Sequence, residues 1–174
     1  MANERILVVY YSRTGNTRCL AHAIAEATGG VVEEIIEKRD RRGIVNYLRA
    51  GVESCLALTT AIEPSKHEPR AFDLVVIATP IWNRSVPTPV RAYLRRHRGA
   101  LATVAFGVTC GGIGIERVLR QLETLAGHAP RAVVTIRQGQ LGELGARAAT
   151  FARKIVGNDP RSIDMIAENL APPR

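Results

Sequence analysis

Between an apolar run and a helical pattern lies the segment Ser12-Arg13-Thr14-Gly15-Asn16-Thr17. It carries three hydroxyls, an amide and a glycine within six residues. At a helix N-terminus the backbone N–H groups are free and the dipole is positive, so such a segment binds anions. The glycine lets the backbone come close to the anion, and the hydroxyls add donors. Ser, Thr and Asn also favour plain N-caps, but a cap needs one such residue. Phosphate is therefore the expected ligand.

Two further segments have chemistry-bearing composition. Thr79-Pro80-Ile81-Trp82-Asn83-Arg84 holds the only tryptophan of the chain. A tryptophan in a loop is either folded back on neighbouring prolines or covered by a planar ligand. Stacking on a fused ring contributes about 0.5–1.5 kcal/mol beyond burial. Thr109-Cys110-Gly111-Gly112 offers small side chains and accessible backbone. That suits hydrogen bonding to the polar edge of a planar ring, or a plain turn before a helix.

Competing phosphate motifs are absent. There is no G-x-x-x-x-G-K-[ST], and Gly112-Ile113-Gly114 has no glycine at position 117. A cysteine followed after five residues by arginine is also missing; Cys110 misses by one at Arg117. The first apolar run ends without the aspartate that a phosphoacceptor domain needs. Cys19, Cys55 and Cys110 are far apart and suggest neither a zinc site nor a dithiol. Cys110 reads as a small residue in a tight loop rather than a redox thiol. His22, His67, His97 and His128 share no motif and read as surface or helix residues.

The elements that must position these loops alternate regularly. Ile6–Tyr11, Val31–Ile36, Phe72–Ala78, Leu101–Val108 and Ala132–Ile136 read as strands, several of them continuously apolar. Helical spacing covers Thr17–Thr28, Ile44–Leu58, Pro89–Arg98, Ile115–Leu125 and Leu144–Val156. A short amphipathic piece, Ile163–Leu170, follows and reads as a packing helix or a dimer arm. The expectation is one domain over 1–174, with a C-terminal extension from about 157. Strand–helix alternation implies a parallel sheet, because parallel strands need crossover connections. With order 2-1-3-4-5, the three loops meet at the carboxyl ends of neighbouring strands, where such sheets bind ligands.

In these residues the sequence resembles the flavodoxin-like family. Tyr11-Ser12-Arg13-Thr14-Gly15-Asn16-Thr17 is similar to that family's phosphate loop. Thr79-Pro80-Ile81-Trp82 and Thr109-Cys110-Gly111-Gly112 are similar to its two ring-binding loops. The resemblance spans about Ile6–Leu141. It implies a three-layer α/β sandwich with a five-stranded parallel sheet and non-covalently bound FMN. Ser12, Thr14, Asn16 and Thr17 would hold the phosphate, Trp82 would stack on the isoalloxazine, and the Cys110-Gly111-Gly112 backbone would meet its pyrimidine edge. The chain departs from the family's acidic electron carriers: it is basic, its third loop has no aromatic, and Asn83-Arg84 follows Trp82 with no glycine nearby. An open second flavin face favours a reductase, with NAD(P)H delivering hydride and a quinone or similar acceptor removing it. Arg13 and Arg84 would favour an anionic reduced flavin.

Charge sets the alternative. The formal net charge is +8 and nearly all of the excess is arginine, with lysine only at 38, 66 and 154. The arginines are scattered and aromatics make up 5%, which disfavours nucleic acid. The runner-up reading is a flavin-free module of the same fold whose basic surface holds an acidic protein or nucleic acid. The N-terminal apolar run is too short for a membrane span and lacks signal-peptide order. A cytoplasmic protein with reduced thiols is expected, working with a redox partner protein or with NAD(P)H and a small acceptor.

Overall fold

A computed structural model describes residues 4–38 and 60–156. The expected helix over 44–58, Cys55 and the extension from 157 with its 163–170 piece lie outside the described residues. The described elements are β1 (Ile6–Tyr10), α1 (Asn16–Thr28), β2 (Val31–Glu34), β3 (Leu74–Pro80), α2 (Thr88–His97), β4 (Val104–Cys110), α3 (Ile115–Ala126), β5 (Val133–Arg137) and α4 (Leu144–Val156). The five strands form one sheet of order β2-β1-β3-β4-β5. Every neighbouring pair is parallel. The expected flavodoxin-like architecture is the observed one.

Strand periodicity divides the core into two layers. Leu7, Val9, Val75, Ile77, Val104, Phe106 and Val108 face α2 and α3, meeting Val90, Tyr93, Leu94, Val118 and Leu122. The alternate residues Ile6, Val8, Tyr10, Leu74, Val76, Ala78 and Ala105 face α1 and α4, meeting Leu20, Ile24, Phe151 and Ile155. Both faces are covered, which explains why the strands read as unbroken apolar runs. Beneath α1 the sheet carries small residues. A Cβ at Gly107 would stand 3.3 Å from Leu20 Cδ2. Ala78, Ala105 and Gly107 thus let α1 lie close to the central strands, and this carries its N-terminus to their carboxyl ends.

Strands β3 and β4 sit later in the chain than the apolar runs suggest. Phe72 and Asp73 precede β3, where Asp73 Oδ2 accepts the Arg5 backbone N–H at 2.9 Å. The ladder continues through Thr79↔Val108, Pro80↔Thr109 and Cys110↔Arg137. Thr79, Pro80, Thr109 and Cys110 therefore end strands rather than begin loops. Ladder pairing with neighbouring strands holds them in the sheet, which apolar periodicity does not register.

His97 ends α2 and is a helix residue as expected, while His67 is half-buried and outside any helix. The buried carboxylate of Glu33 accepts the backbone N–H groups of Lys66 and His67, both at 3.0 Å, and its Oε2 lies 2.9 Å from His67 Nδ1. His97 packs on Tyr93 with ring centroids 4.6 Å apart, and its Nε2 lies 2.9 Å from Ser65 Oγ. These contacts tie the segment before β3 to β2 and α2.

Candidate functional site

The loop after β1 delivers α1 with an open N-terminus. Gly15 stands at φ +97°, a conformation that side-chain-bearing residues rarely adopt. No described side chain caps the helix. The Ser12 hydroxyl instead accepts the Gly15 N–H at 3.1 Å, which shapes the loop one residue before the helix. The first-turn N–H groups, which have no intrahelical partner in any α-helix, are left for a ligand. Thr14 and Arg13 are exposed, and Asn16 is half-buried.

Thr17 takes a different part. It is buried, and its Oγ1 lies 2.7 Å from Thr109 Oγ1 at the end of β4. This bond joins the phosphate-type loop to the third loop across 92 residues of sequence. The pair satisfies two buried hydroxyls and ties the start of α1 to the end of β4.

Trp82 stands on a two-residue hairpin. Trp82 N donates to Ser85 O at 3.1 Å and Ser85 N donates to Trp82 O at 2.8 Å. The turn residues Asn83 and Arg84 have φ of +46° and +56°. A type I′ hairpin demands positive φ at both central positions and commonly places glycine there. Here non-glycine residues hold that geometry, at an expected strain of about 1–3 kcal/mol each. Gly114 makes room for it: a Cβ there would fall 2.9 Å from Arg84 Cα. Gln121 Oε1 accepts Ser85 Oγ–H and Val86 N–H at 3.0 Å each. Arg91 also donates to Ser85 Oγ, and its Nε donates to Val86 O at 2.8 Å.

The indole is not folded back on the prolines of its own loop alone. Its ring meets Tyr11 edge-on, with centroids 5.4 Å apart and planes at 73°. The Arg13 guanidinium carbon lies 5.2 Å from the Trp82 ring centroid, a cation–π contact. The Tyr11 hydroxyl donates to Glu37 Oε2 at 3.4 Å. Burial, followed by the negative charge of Glu37, raises the phenol above its ordinary value, so Tyr11 stays a neutral donor.

These loops enclose a cleft of about 280 Å³ at the carboxyl edge of the sheet. Thr14 and Asn16 line one end; Pro80, Ile81 and Trp82 line a wall; Thr109, Cys110 and Gly111 line the side next to them. Of the remaining expected site residues, Ser12, Gly15 and Thr17 shape the loops from behind. Thr79 is fully buried and donates its hydroxyl to Pro80 O at 3.0 Å. Asn83 and Arg84 form the hairpin turn, and Gly112 follows the lining residues at φ +131°. Ile136, Gln138 and Leu141 complete the lining, and sequence reasoning missed them. Ile136 lies at the end of β5 and Gln138 and Leu141 follow it; the carboxyl end of this strand meets the same edge, so the rule that singled out three loops would have reached a fourth.

Cys110 is a thiol at neutral pH. Burial raises its pKa above the usual 9.0, outweighing a Gly112 backbone hydrogen bond and the Arg137 charge, which lower it. This agrees with a packing role and removes the electrostatic condition for a redox thiolate.

The donor set suits FMN. An uncapped helix N-terminus can take the phosphate, an indole can meet the ring, and strand-end backbone can meet its polar edge. The sequence model of the NADPH-dependent FMN reductase family matches residues 5–143. The chain belongs to that family. As a member it is an FMN-binding, flavodoxin-like redox protein, and the flavin-free alternative is set aside. Its fold is similar to that of a candidate flavoprotein from Bacteroides eggerthii DSM 20697, at 24% identity, TM-score 0.66, and coverage of 86% of this chain and 99% of that one. A Lactobacillus acidophilus NCFM flavoprotein solved in complex with FMN aligns at 17% identity and TM-score 0.62, covering 81% and 98%. NAD(P)H:quinone oxidoreductase from Methanothermobacter marburgensis aligns at 13% and 0.55, covering 91% and 98%. At these identities the structural likeness shows the fold alone. No curated protein matches the sequence. No described helix is long and apolar enough to cross a membrane.

Proposed function

We propose that this FMN reductase family member is an enzyme that takes hydride from NAD(P)H and passes reducing equivalents to a small acceptor such as a quinone. The carrying observation is the convergence of the uncapped α1 N-terminus and the Trp82 hairpin on one cleft. FMN supplies the redox chemistry when bound, and the protein supplies binding, orientation and electrostatics.

The chain's own groups divide that work. The first-turn N–H groups of α1, with Thr14 and Asn16, hold the phosphate. Ser12 keeps Gly15 in the conformation that exposes those N–H groups. Trp82 packs one ring face, and Pro80 and Ile81 extend the wall. The Cys110-Gly111-Gly112 backbone meets the pyrimidine edge. Arg13 and Arg84 place positive charge beside the ring and favour anionic states there. Arg13 rests on the indole, so a ring stacking on that face displaces it. The third loop offers no aromatic side chain to close the opposite side, which leaves room for a nicotinamide or a planar acceptor. The L. acidophilus protein solved with FMN and the M. marburgensis NAD(P)H:quinone oxidoreductase support the cofactor and the acceptor class by likeness. A cytoplasmic site of action belongs to this reading. Both a second copy of the chain and a redox partner protein are compatible with it.

Titration of FMN into flavin-free protein, followed by quenching of flavin fluorescence, tests the reading. Stoichiometric quenching and FMN-dependent oxidation of NADPH with a quinone support it. Binding without NAD(P)H oxidation would limit the protein to electron transfer, and absence of quenching would overturn the cofactor assignment.

A further inference from the structure

The hairpin that carries Trp82 is clamped at its closing end by four hydrogen bonds. Gln121 Oε1, from the middle of α3, accepts Ser85 Oγ–H and Val86 N–H at 3.0 Å each. Arg91, from the start of α2, donates Nε to Val86 O at 2.8 Å and Nη2 to Ser85 Oγ. None of these four residues lines the Trp82 cleft. We propose that Gln121 and Arg91 are positioning residues for the flavin ring, acting through the hairpin on Trp82. The inference rests on the reading that Trp82 packs against that ring.

The hairpin needs such support. Asn83 and Arg84 both stand at positive φ without being glycine, a conformation that persists only where surrounding contacts over-determine it. The hairpin's own ties are the two backbone bonds between Trp82 and Ser85, and a lone two-stranded ribbon is marginal in water. Gln121 and Arg91 constrain Ser85, the residue that pairs with Trp82. Val86 is buried, so its N–H and C=O must find partners inside the protein. Helix α3 supplies the acceptor and α2 the donor. Gly114, just before α3, adds the steric part: a Cβ there would fall 2.9 Å from Arg84 Cα.

The arrangement divides the site between the two faces of the sheet. Helix α1, with its open N-terminus, packs on one face. Helices α2 and α3, which hold the hairpin, pack on the other. Loosening the clamp therefore moves the indole and leaves the α1 N-terminus in place. Gln121 thus governs affinity for the ring and not for the phosphate.

Calorimetric titration of flavin-free, full-length protein with FMN and with riboflavin, which has the same ring and no phosphate, tests this. Gln121→Met keeps the side-chain length and removes the acceptor. It should weaken both flavins by the same factor, at least threefold. In a Trp82→Ala background the same substitution should change affinity less than twofold, because the indole it positions is gone. Gln121→Glu, whose carboxylate can accept the same two bonds, should bind within twofold of the parent. If Gln121→Met melts early, Ser85→Ala takes its place; it removes only the hydroxyl shared by Gln121 and Arg91. That variant must weaken both flavins at least twofold and lose its effect without Trp82. Unchanged affinity, a loss that persists without Trp82, a larger loss for FMN than for riboflavin, or a Glu variant as weak as the Met variant overturns the proposal. Failure of the stacking reading shows separately, as Trp82→Ala alone binding FMN as tightly as the parent, and the proposal falls with it.

Discussion

Trp82, Thr17 and Gly114 act on the same site by three different physical means. Trp82 contributes area and a π face. Trp82→Ala should weaken FMN binding by about 2–13-fold through lost stacking alone, following the ~0.5–1.5 kcal/mol of such contacts, with lost burial adding to it. Flavin fluorescence quenching measures this, and unchanged affinity would refute the stacking role. Thr17 contributes a buried hydrogen bond to Thr109. Thr17→Val leaves the Thr109 hydroxyl without its partner and should lower stability by about 1–3 kcal/mol, read by chemical denaturation. Gly114 contributes absence: it stands at φ +87°, and a Cβ there would fall 2.9 Å from Arg84 Cα. Gly114→Ala should therefore destabilise by about 1–3 kcal/mol and weaken FMN binding by moving the hairpin. Gly111→Ala is the control, since a Cβ there meets nothing within 4 Å. Equal melting temperatures for the two variants would remove the packing argument.

At the scale of elements, α1 and α2 set the positions that the residues exploit. Small residues of the sheet bring α1 close, and its open N-terminus then faces the cleft. Helix α2 is tied to the segment before β3 through His97 and Ser65. Burial lowers the His97 pKa from its ordinary 6.5; the nearby Arg96 charge lowers it further, while Glu68 and Glu33 oppose both. The folded state thus prefers neutral His97. Its contribution to stability is present above about pH 6.5, the unfolded value, and is lost as pH falls through that value toward the lower folded one. Urea denaturation between pH 7.5 and 5 should show stability falling on acidification, with a shallower slope in His97→Gln. An identical slope in the variant would exclude His97 as the source.

The whole molecule carries a net charge of +8. Charge of this size steers oppositely charged reactants over distances comparable to the screening length, about 10 Å at 0.1 M salt. With an anionic acceptor such as ferricyanide, kcat/KM should fall as ionic strength rises from 20 to about 300 mM, a range over which that length shortens several-fold. With a neutral quinone it should stay nearly constant. Parallel salt dependence for both acceptors would show that the effect lies in NAD(P)H binding or in the flavin site.

Much of this was legible in the chain itself. Continuous apolar strands alternating with amphipathic helices dictate a parallel sheet covered on both faces, because each strand must bury both of its sides. Ser12–Thr17 and the single tryptophan single out, through residue type alone, segments whose Thr14, Asn16 and Trp82 line one cleft. Local pattern also predicts α3 and α4 nearly to the residue, since a helix is governed by neighbours three and four positions away. Tertiary structure decided the rest. It carried β3 and β4 past the ends of their apolar runs, because ladder hydrogen bonds extend to Pro80 and Cys110. It set the Thr17 hydroxyl against Thr109, a contact between residues 92 positions apart. It let Asn83 and Arg84 adopt glycine-like backbone, held by Gln121 and Arg91 and accommodated at Gly114. Each of these depends on distances between residues far apart in sequence, and those distances exist only once the sheet and its two helical layers have formed.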